Sequence, residues 1–164
     1  MIRLARAGLI LVIGLVLSAC AVPEVPYTGQ EVTQVQVHKE ARKLYLLHKG
    51  QVLKSYDIAL GFAPVGHKQF EGDGKTPEGL YFITHRNPGS AYHRSLGISY
   101  PNAKDRAAAA AAGKEPGGDI FIHGGPNGPI EQRDWTWGCI AVTDRQIEEI
   151  YAMVKPGTPI WILK

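Results

Sequence analysis

The chain has little cysteine, no long apolar run, no excess of charge of one sign and no metal-ligand pattern, and each absence excludes a class of function. Two cysteines in 164 residues cannot build a disulfide-stapled scaffold. The longest apolar run, Leu9 to Leu17, is too short to span a bilayer comfortably. The formal net charge is +3, and Arg3 and Arg6 contribute to it. Without them the balance is close to neutral, and no basic run or basic-aromatic patch suggests nucleic acid as a partner. His38, His48, His67, His85 and His93 show no pairing at metal-ligand spacing, which argues against a zinc site. The Gly72-Asp73-Gly74 stretch lacks the later ligands of a calcium loop and reads as a turn. No cofactor is expected.

What is present begins with a leader. Arg3 and Arg6 form a positive n-region, Leu9 to Leu17 an apolar h-region, and Leu17-Ser18-Ala19-Cys20 a small-residue cleavage site, so residues 1–19 read as a signal peptide. Leu-Ser-Ala-Cys resembles the lipobox of bacterial lipoproteins, which implies acylation of Cys20 and attachment to a membrane surface. Ala21, where an aspartate would signal inner-membrane retention, points to the outer membrane, with the protein facing the periplasm. Residues 20–31 then form the lipidated cysteine and a tether carrying Pro23, Pro26 and Gly29. With Cys20 lipidated, Cys139 is a lone thiol in an oxidising compartment.

Residues 32–164 read as one domain. Val35 and Val37 alternate, Lys43 to His48 and Gln51 to Leu60 are strand-like, and Lys49-Gly50 between them predicts a hairpin. Leu80 to Thr84, Asp119 to His123 and Pro159 to Leu163 are further strands. Two helices are expected: Ala103 to Ala112, capped by Asn102, and one opened by the capping box Thr143-Asp144-Arg145-Gln146 and ended by Pro156-Gly157. The fold class is mainly β, a bent sheet or sandwich, with about two helices.

Chemistry concentrates at His123, on a strand end followed by Gly124-Gly125, and at Cys139, sixteen positions on, in Asp134-Trp135-Thr136-Trp137-Gly138-Cys139. A thiol becomes a good nucleophile as thiolate, and an imidazole can take its proton. Gly138 would let the backbone approach a carbonyl oxygen closely, as an oxyanion hole requires.

On these residues the chain resembles the L,D-transpeptidase catalytic domain (YkuD-like) family over roughly Val32 to Leu163. The family signature is a histidine, a gap, then Ser/Thr-His-Gly-Cys. Here it becomes His123 and Thr136-Trp137-Gly138-Cys139, with Trp137 replacing the second histidine. A lipoprotein branch with Trp-Thr-x-Gly-Cys is similar also at Gly72 to Gly79, Asn87-Pro88 and Ser99 to Asn102. The resemblance implies Cys139 as nucleophile, His123 as base, a carbonyl of the His123-Gly124-Gly125 turn orienting the imidazole, and an oxyanion hole from the N–H groups of Gly138 and Cys139, joined by Trp137. Trp137 could wall the acyl pocket or be a packed indole. Tyr92, Arg94, Tyr100 and Asn102 could line a substrate groove or hold a loop together. Arg133, with Lys68, Lys75 and Arg106, could meet substrate carboxylates or simply be solvated.

The implied partners are peptidoglycan stem peptides, the membrane through the lipid anchor, and a peptidoglycan-linked lipoprotein. The implied reaction attacks the amide between the L-centre of a diamino acid and the following D-alanine, then transfers the acyl group to an amine. Two alternatives stay open: a hydrolase or amidase of the same fold that releases D-alanine or a stem-linked lipoprotein, and a non-catalytic wall-binding lipoprotein.

Overall fold

A computed structural model describes residues 26–125 and 133–164. The leader, Cys20 and the first part of the tether lie outside the described residues, as does the segment 126–132. Ten elements follow in order: β1 (Gln34–His38), β2 (Lys43–His48), β3 (Gln51–Asp57), β4 (Gly79–Ser90), β5 (His93–Ile98), α1 (Ala103–Ala111), β6 (Phe121–His123), β7 (Ile140–Ala141), α2 (Asp144–Met153) and β8 (Pro159–Leu163). The mainly β class with two helices is what is found.

The strands form one sheet in the order β3-β2-β1-β8-β4-β5-β6-β7. Alternation drives the first half: Val35, Val37, Leu44 and Leu46 face inward and are fully buried. Lys49 and Gly50 both adopt positive φ, the backbone a two-residue hairpin turn needs, and join β2 to β3. The last strand, β8, lies in the middle of the sheet, parallel to β1 and antiparallel to β4.

Strand β4 is longer than the expected Leu80 to Thr84. Gly79 to Phe82 pairs with β8, whereas Ile83 to Ser90 pairs with β5. One strand thus joins the two halves of the sheet. Pro88 falls within a register shift of the β4–β5 pairing, where its missing N–H breaks no regular ladder bond.

Helix α2 is closed at its N-terminus by the reciprocal Thr143–Gln146 capping box. It buries Ile147, Ile150, Tyr151 and Met153 and packs against β5 and β6. Each of those side chains contributes about 1.5–3 kcal/mol of burial free energy. Helix α1 has its own box, in which Asn102 and Asp105 cap each other's backbone, but it buries only Asp105 and Ala109. It is the surface excursion its alanines predict. The far half of the sheet, β5-β6-β7 under α2, is what positions the site.

Candidate active site

Strand periodicity brings His123 and Cys139 to one face. β6 and β7 run parallel with Ile122 opposite Ile140 and His123 opposite Ala141. Ile122 and Ile140 are fully buried in the core, so residues 121, 123 and 139 face the other way. Cys139, just before the neighbouring strand β7, stands two register positions before the residue opposite His123. Strand geometry alone then separates the Cys139 and His123 Cα atoms by about 8 Å, within reach of a thiol and an imidazole.

Both residues line a cavity of about 280 Å³, with Asn87, Ser90, Ala91, Tyr92, Ser95, Asp119 and Phe121. Asp119 is the only carboxylate among these lining residues. His123 is buried, stacks on Tyr92 (4.6 Å between ring centroids, 29° between planes) and meets Trp135 edge-on. Its Nδ1 lies 2.6 Å from the Gly124 carbonyl oxygen. Nδ1–H therefore donates to that carbonyl, which leaves Nε2 with the lone pair.

The sulfur is only partly exposed. Its hydrogen bond runs to the Asp119 carbonyl oxygen (3.4 Å) and not to His123, so the thiol is held by a backbone group in this state. Burial raises the Cys139 pKa from its ordinary value and the Asp119 charge adds to the rise, while a hydrogen bond from the Phe121 backbone and the Lys68 charge oppose it. Burial lowers the His123 pKa, opposed by its bond to Gly124. The resting pair is therefore neutral thiol and neutral imidazole.

The loop before Cys139 is tied down by distant polar residues. The Asp134 carboxylate accepts from Arg42 Nε (3.0 Å) and Nη2 (2.7 Å) and from the Leu60 N–H (3.0 Å). Thr136 pairs through its backbone with both flanks: its N–H donates to Leu60 O (3.1 Å), and its carbonyl accepts from Phe62 N–H (2.9 Å). Its buried hydroxyl donates to the Cys139 carbonyl (2.7 Å) and accepts from the Gly138 N–H (3.2 Å). Gly138 has φ +129°, and a Cβ there would lie 2.7 Å from the Lys75 carbonyl oxygen, so only glycine fits.

These contacts correct several expectations. The Gly138 N–H is committed to Thr136, whereas the Cys139 N–H has no partner among the described residues. Trp137 does not line this cavity; its indole is 71% exposed and packs edge-on against Phe62 at 5.0 Å. Of the expected groove residues, Tyr92 lines the cavity. Arg94 lies over the Tyr151 ring of α2 (5.0 Å), outside it. Tyr100 is buried, with its hydroxyl donating to Pro116 O (2.9 Å), and Asn102 caps α1. Arg133 lines a separate, larger cavity of about 680 Å³ beside Arg42, Trp135 and Asp144. Lys68 is paired with Asp73 in the interior at 2.9 Å rather than solvated.

Sequence reasoning passed over Arg42, Asp119, Asp134 and the hydroxyl of Thr136. Arg42, Asp119 and Asp134 act through contacts between segments far apart in sequence, so no local signal carried them; the Thr136 hydroxyl instead bonds within its own turn, to residues two and three positions on, where the Ser/Thr of the family signature marks it. Among the described residues, no group of three His, Cys, Asp or Glu side chains could hold a metal ion.

The model of the L,D-transpeptidase catalytic domain, YkuD, matches residues 33–162. A protein of Escherichia coli K12 that carries the name L,D-transpeptidase YafK is 36% identical over 126 residues, covering 73% of this chain and 46% of the relative. The chain thus spans about half the length of the curated relatives it matches. Among solved structures, the helical cell shape determining protein Pgp2 from Campylobacter jejuni aligns with TM-score 0.64 at 28% identity, over 85% of this chain and 50% of that one. An L,D-transpeptidase from Mycobacterium smegmatis aligns with TM-score 0.55 over 81% of this chain and 59% of that one; at 15% identity the likeness concerns the fold alone.

Proposed function

The chain belongs to the family of L,D-transpeptidase catalytic domains, and on that premise we propose that it is a cysteine acyltransferase acting on peptidoglycan stem peptides. The observation that carries this reading is the shared cavity of Cys139 and His123, with Nδ1 of the imidazole committed to the Gly124 carbonyl. That leaves Nε2 as the base.

In the reaction, the Cys139 thiol gives its proton to His123 Nε2 as the sulfur bonds to the carbonyl carbon of the diamino acid. With thiol and imidazole both neutral at rest, the proton moves to Nε2 before or as the sulfur bonds to the carbon. The carbonyl oxygen becomes an oxyanion facing the Cys139 N–H; one such donor supplies about 10²–10³ in rate. The C–N bond to D-alanine then breaks, and the departing nitrogen takes the proton from Nε2. A thioester on Cys139 remains. An acceptor amine gives a proton to Nε2 and bonds to the same carbon, the C–S bond breaks, and the thiolate recovers its proton from the imidazolium.

Intact-mass measurement of the protein with a tetrapeptide-stem muropeptide tests the reading. A thioester adduct lacking the mass of D-alanine should form on wild type and not on Cys139→Ala. Cross-linked product then identifies an amine acceptor, and trimmed stem alone identifies water and the hydrolase. A folded wild type that never acylates overturns the enzyme assignment.

The lipobox Leu17-Ser18-Ala19-Cys20 supports anchoring of this domain to the outer membrane, facing the periplasm. Several acyl chains on Cys20 would suffice to hold it there. Cys20→Ser should move the protein to the soluble fraction; soluble, unlipidated wild type would refute the anchor.

A further inference from the structure

The His123–Gly124 contact has a carboxylate behind it. Gly124 O and the Gly125 N–H belong to one peptide unit, and in a trans peptide these two groups point in opposite directions. On one side the carbonyl accepts from His123 Nδ1 at 2.6 Å. On the other, the Gly125 N–H donates to Asp144 Oδ1 at 3.0 Å. The same carboxylate oxygen lies against the Gly124 Cα, where a Cβ would approach it to 2.4 Å; the turn is glycine so that Asp144 can reach it. The Gly124 N–H is fixed as well, donating to Tyr92 O at 3.1 Å. The orienting carbonyl is therefore clamped from both of its flanking amides.

We propose that Asp144 is a positioning residue for His123, acting through the Gly124–Gly125 peptide as the last member of a Cys139–His123–peptide–Asp144 chain. A carboxylate on the N–H side draws the peptide's polarisation toward its carbonyl, and hydrogen bonds in such a chain strengthen one another. The more negative Gly124 oxygen holds Nδ1–H more firmly, fixes the neutral ring in the tautomer whose Nε2 carries the lone pair, and stabilises the imidazolium that forms when Cys139 gives up its proton. Asp144 thereby does through a peptide what a carboxylate bonded directly to an imidazole does in other sites.

Three titratable groups face the ring by other routes: Tyr92 stacks on it, and Cys139 and Asp119 line the same cavity. Gly124 O is the only hydrogen-bond partner of the ring among the described residues. Asp144 is also the first residue of α2, where an acidic side chain favours the helix N-terminus. Its substitution will cost some stability, so a readout that stability does not move is needed.

The inference rests on the proposed chemistry for its consequence in rate, but not for its geometry, and two measurements separate them. In nitrogen-15 labelled protein, Asp144→Ala should shift the His123 Nδ1–H proton upfield and lower the ring pKa relative to wild type. In single-turnover acylation, Asp144→Ala should lose about tenfold in rate with KM unchanged, the size of effect carried by outer partners of functional histidines. Asp144→Asn keeps an acceptor for the Gly125 N–H but not the charge, so it should recover much of the rate while the ring pKa stays below that of wild type. A folded Asp144→Ala with an unshifted Nδ1–H signal and ring pKa overturns the proposal, whether or not the protein acylates. Full activity in Asp144→Ala overturns it too. Absence of acylation in wild type would instead fall on the proposed function and leave the spectroscopic test standing.

Discussion

His123 and Cys139 share a cavity but are placed by different means. His123 ends a strand paired on both sides, with Ser95 of β5 and Ala141 of β7 opposite it, so its backbone follows regular ladder geometry. Cys139 comes at the end of a loop that borrows its shape from elsewhere: Arg42 and Leu60 hold Asp134, Leu60 and Phe62 hold Thr136, and Lys75 crowds Gly138. The side of the proposed base is thus built from strand pairing and one orienting carbonyl, and the side of the proposed nucleophile from polar contacts across the chain. Damage to the base side should appear first in chemistry. Damage to the nucleophile side should appear first in stability.

The largest expected effect lies on the base side. His123→Ala should cost about 10²–10⁴ in acylation rate with little loss of fold, because general-base assistance disappears while the strand pairing remains. The pH dependence gives the sign. Burial depresses the His123 pKa below its ordinary 6.5, so wild-type activity should hold through neutral pH and fall only when acid protonates the ring. In the alanine variant that acid limb should vanish. Its rate should climb with pH and keep climbing past 9.0, since burial raises the thiol above that ordinary value. Acylation followed across pH checks both limbs, and a variant retaining the wild-type acid limb would dissociate it from His123.

Second comes the nucleophile side. Asp134→Ala removes the partner of a largely buried guanidinium and the acceptor of the Leu60 N–H together. Breaking such a pair costs about 3–5 kcal/mol when fully buried. The remaining exposure of Arg42 and Asp134 reduces this to roughly 2–3 kcal/mol. Denaturant unfolding should show a lower midpoint at unchanged slope. An Asp134→Ala as stable as wild type would erase the contrast between the two sides.

That contrast also explains what was legible in the sequence. Lys43 to His48, the Lys49-Gly50 turn and the Thr143 capping box are local codes, written in alternation or in two residues three apart, and they reappear where expected. β5 is not among the strands expected from sequence, and Gly97 lies within it. In the sheet this glycine is a point of close approach, where a Cβ would lie 2.4 Å from His85. β7 has two residues and no period to detect; it exists through its pairing with β6. The motifs matched to the family group Tyr100 and Asn102 with Tyr92, yet Tyr100 turns into the core and Asn102 caps α1. Arg42 and Asp134 are 92 residues apart, beyond any local pattern.

A smaller effect should come from the Thr136 hydroxyl. Thr136→Val keeps the shape and the backbone bonds but loses the contacts to Cys139 O and Gly138 N–H. Two buried polar groups left without their partner cost about 1–3 kcal/mol. Acylation should also slow, because the Gly138-Cys139 peptide would no longer be held. Equal stability and rate in Thr136→Val would mean that the glycine contacts alone shape the turn.

The smallest effect should come from the residue nearest the nucleophile that is not tied down. Trp137 lies two positions before Cys139, but its indole is 71% exposed and packs only edge-on against Phe62, itself 45% exposed. An aromatic pair adds about 0.5–1.5 kcal/mol beyond its buried area, and solvent exposure brings this pair to the lower end. Trp137→Ala should therefore shift stability by under about 1 kcal/mol. The Trp137 carbonyl and N–H do not depend on the indole, so acylation by a small soluble stem peptide should stay within about twofold of wild type, a change worth under half a kcal/mol. The measurement pairs a thermal or denaturant melt with the intact-mass acylation assay. A large loss of stability would show that the indole is packed after all. A large loss of acylation with the fold intact would show that it reaches the bound acyl group, and the nucleophile side would then hold substrate as well as shape.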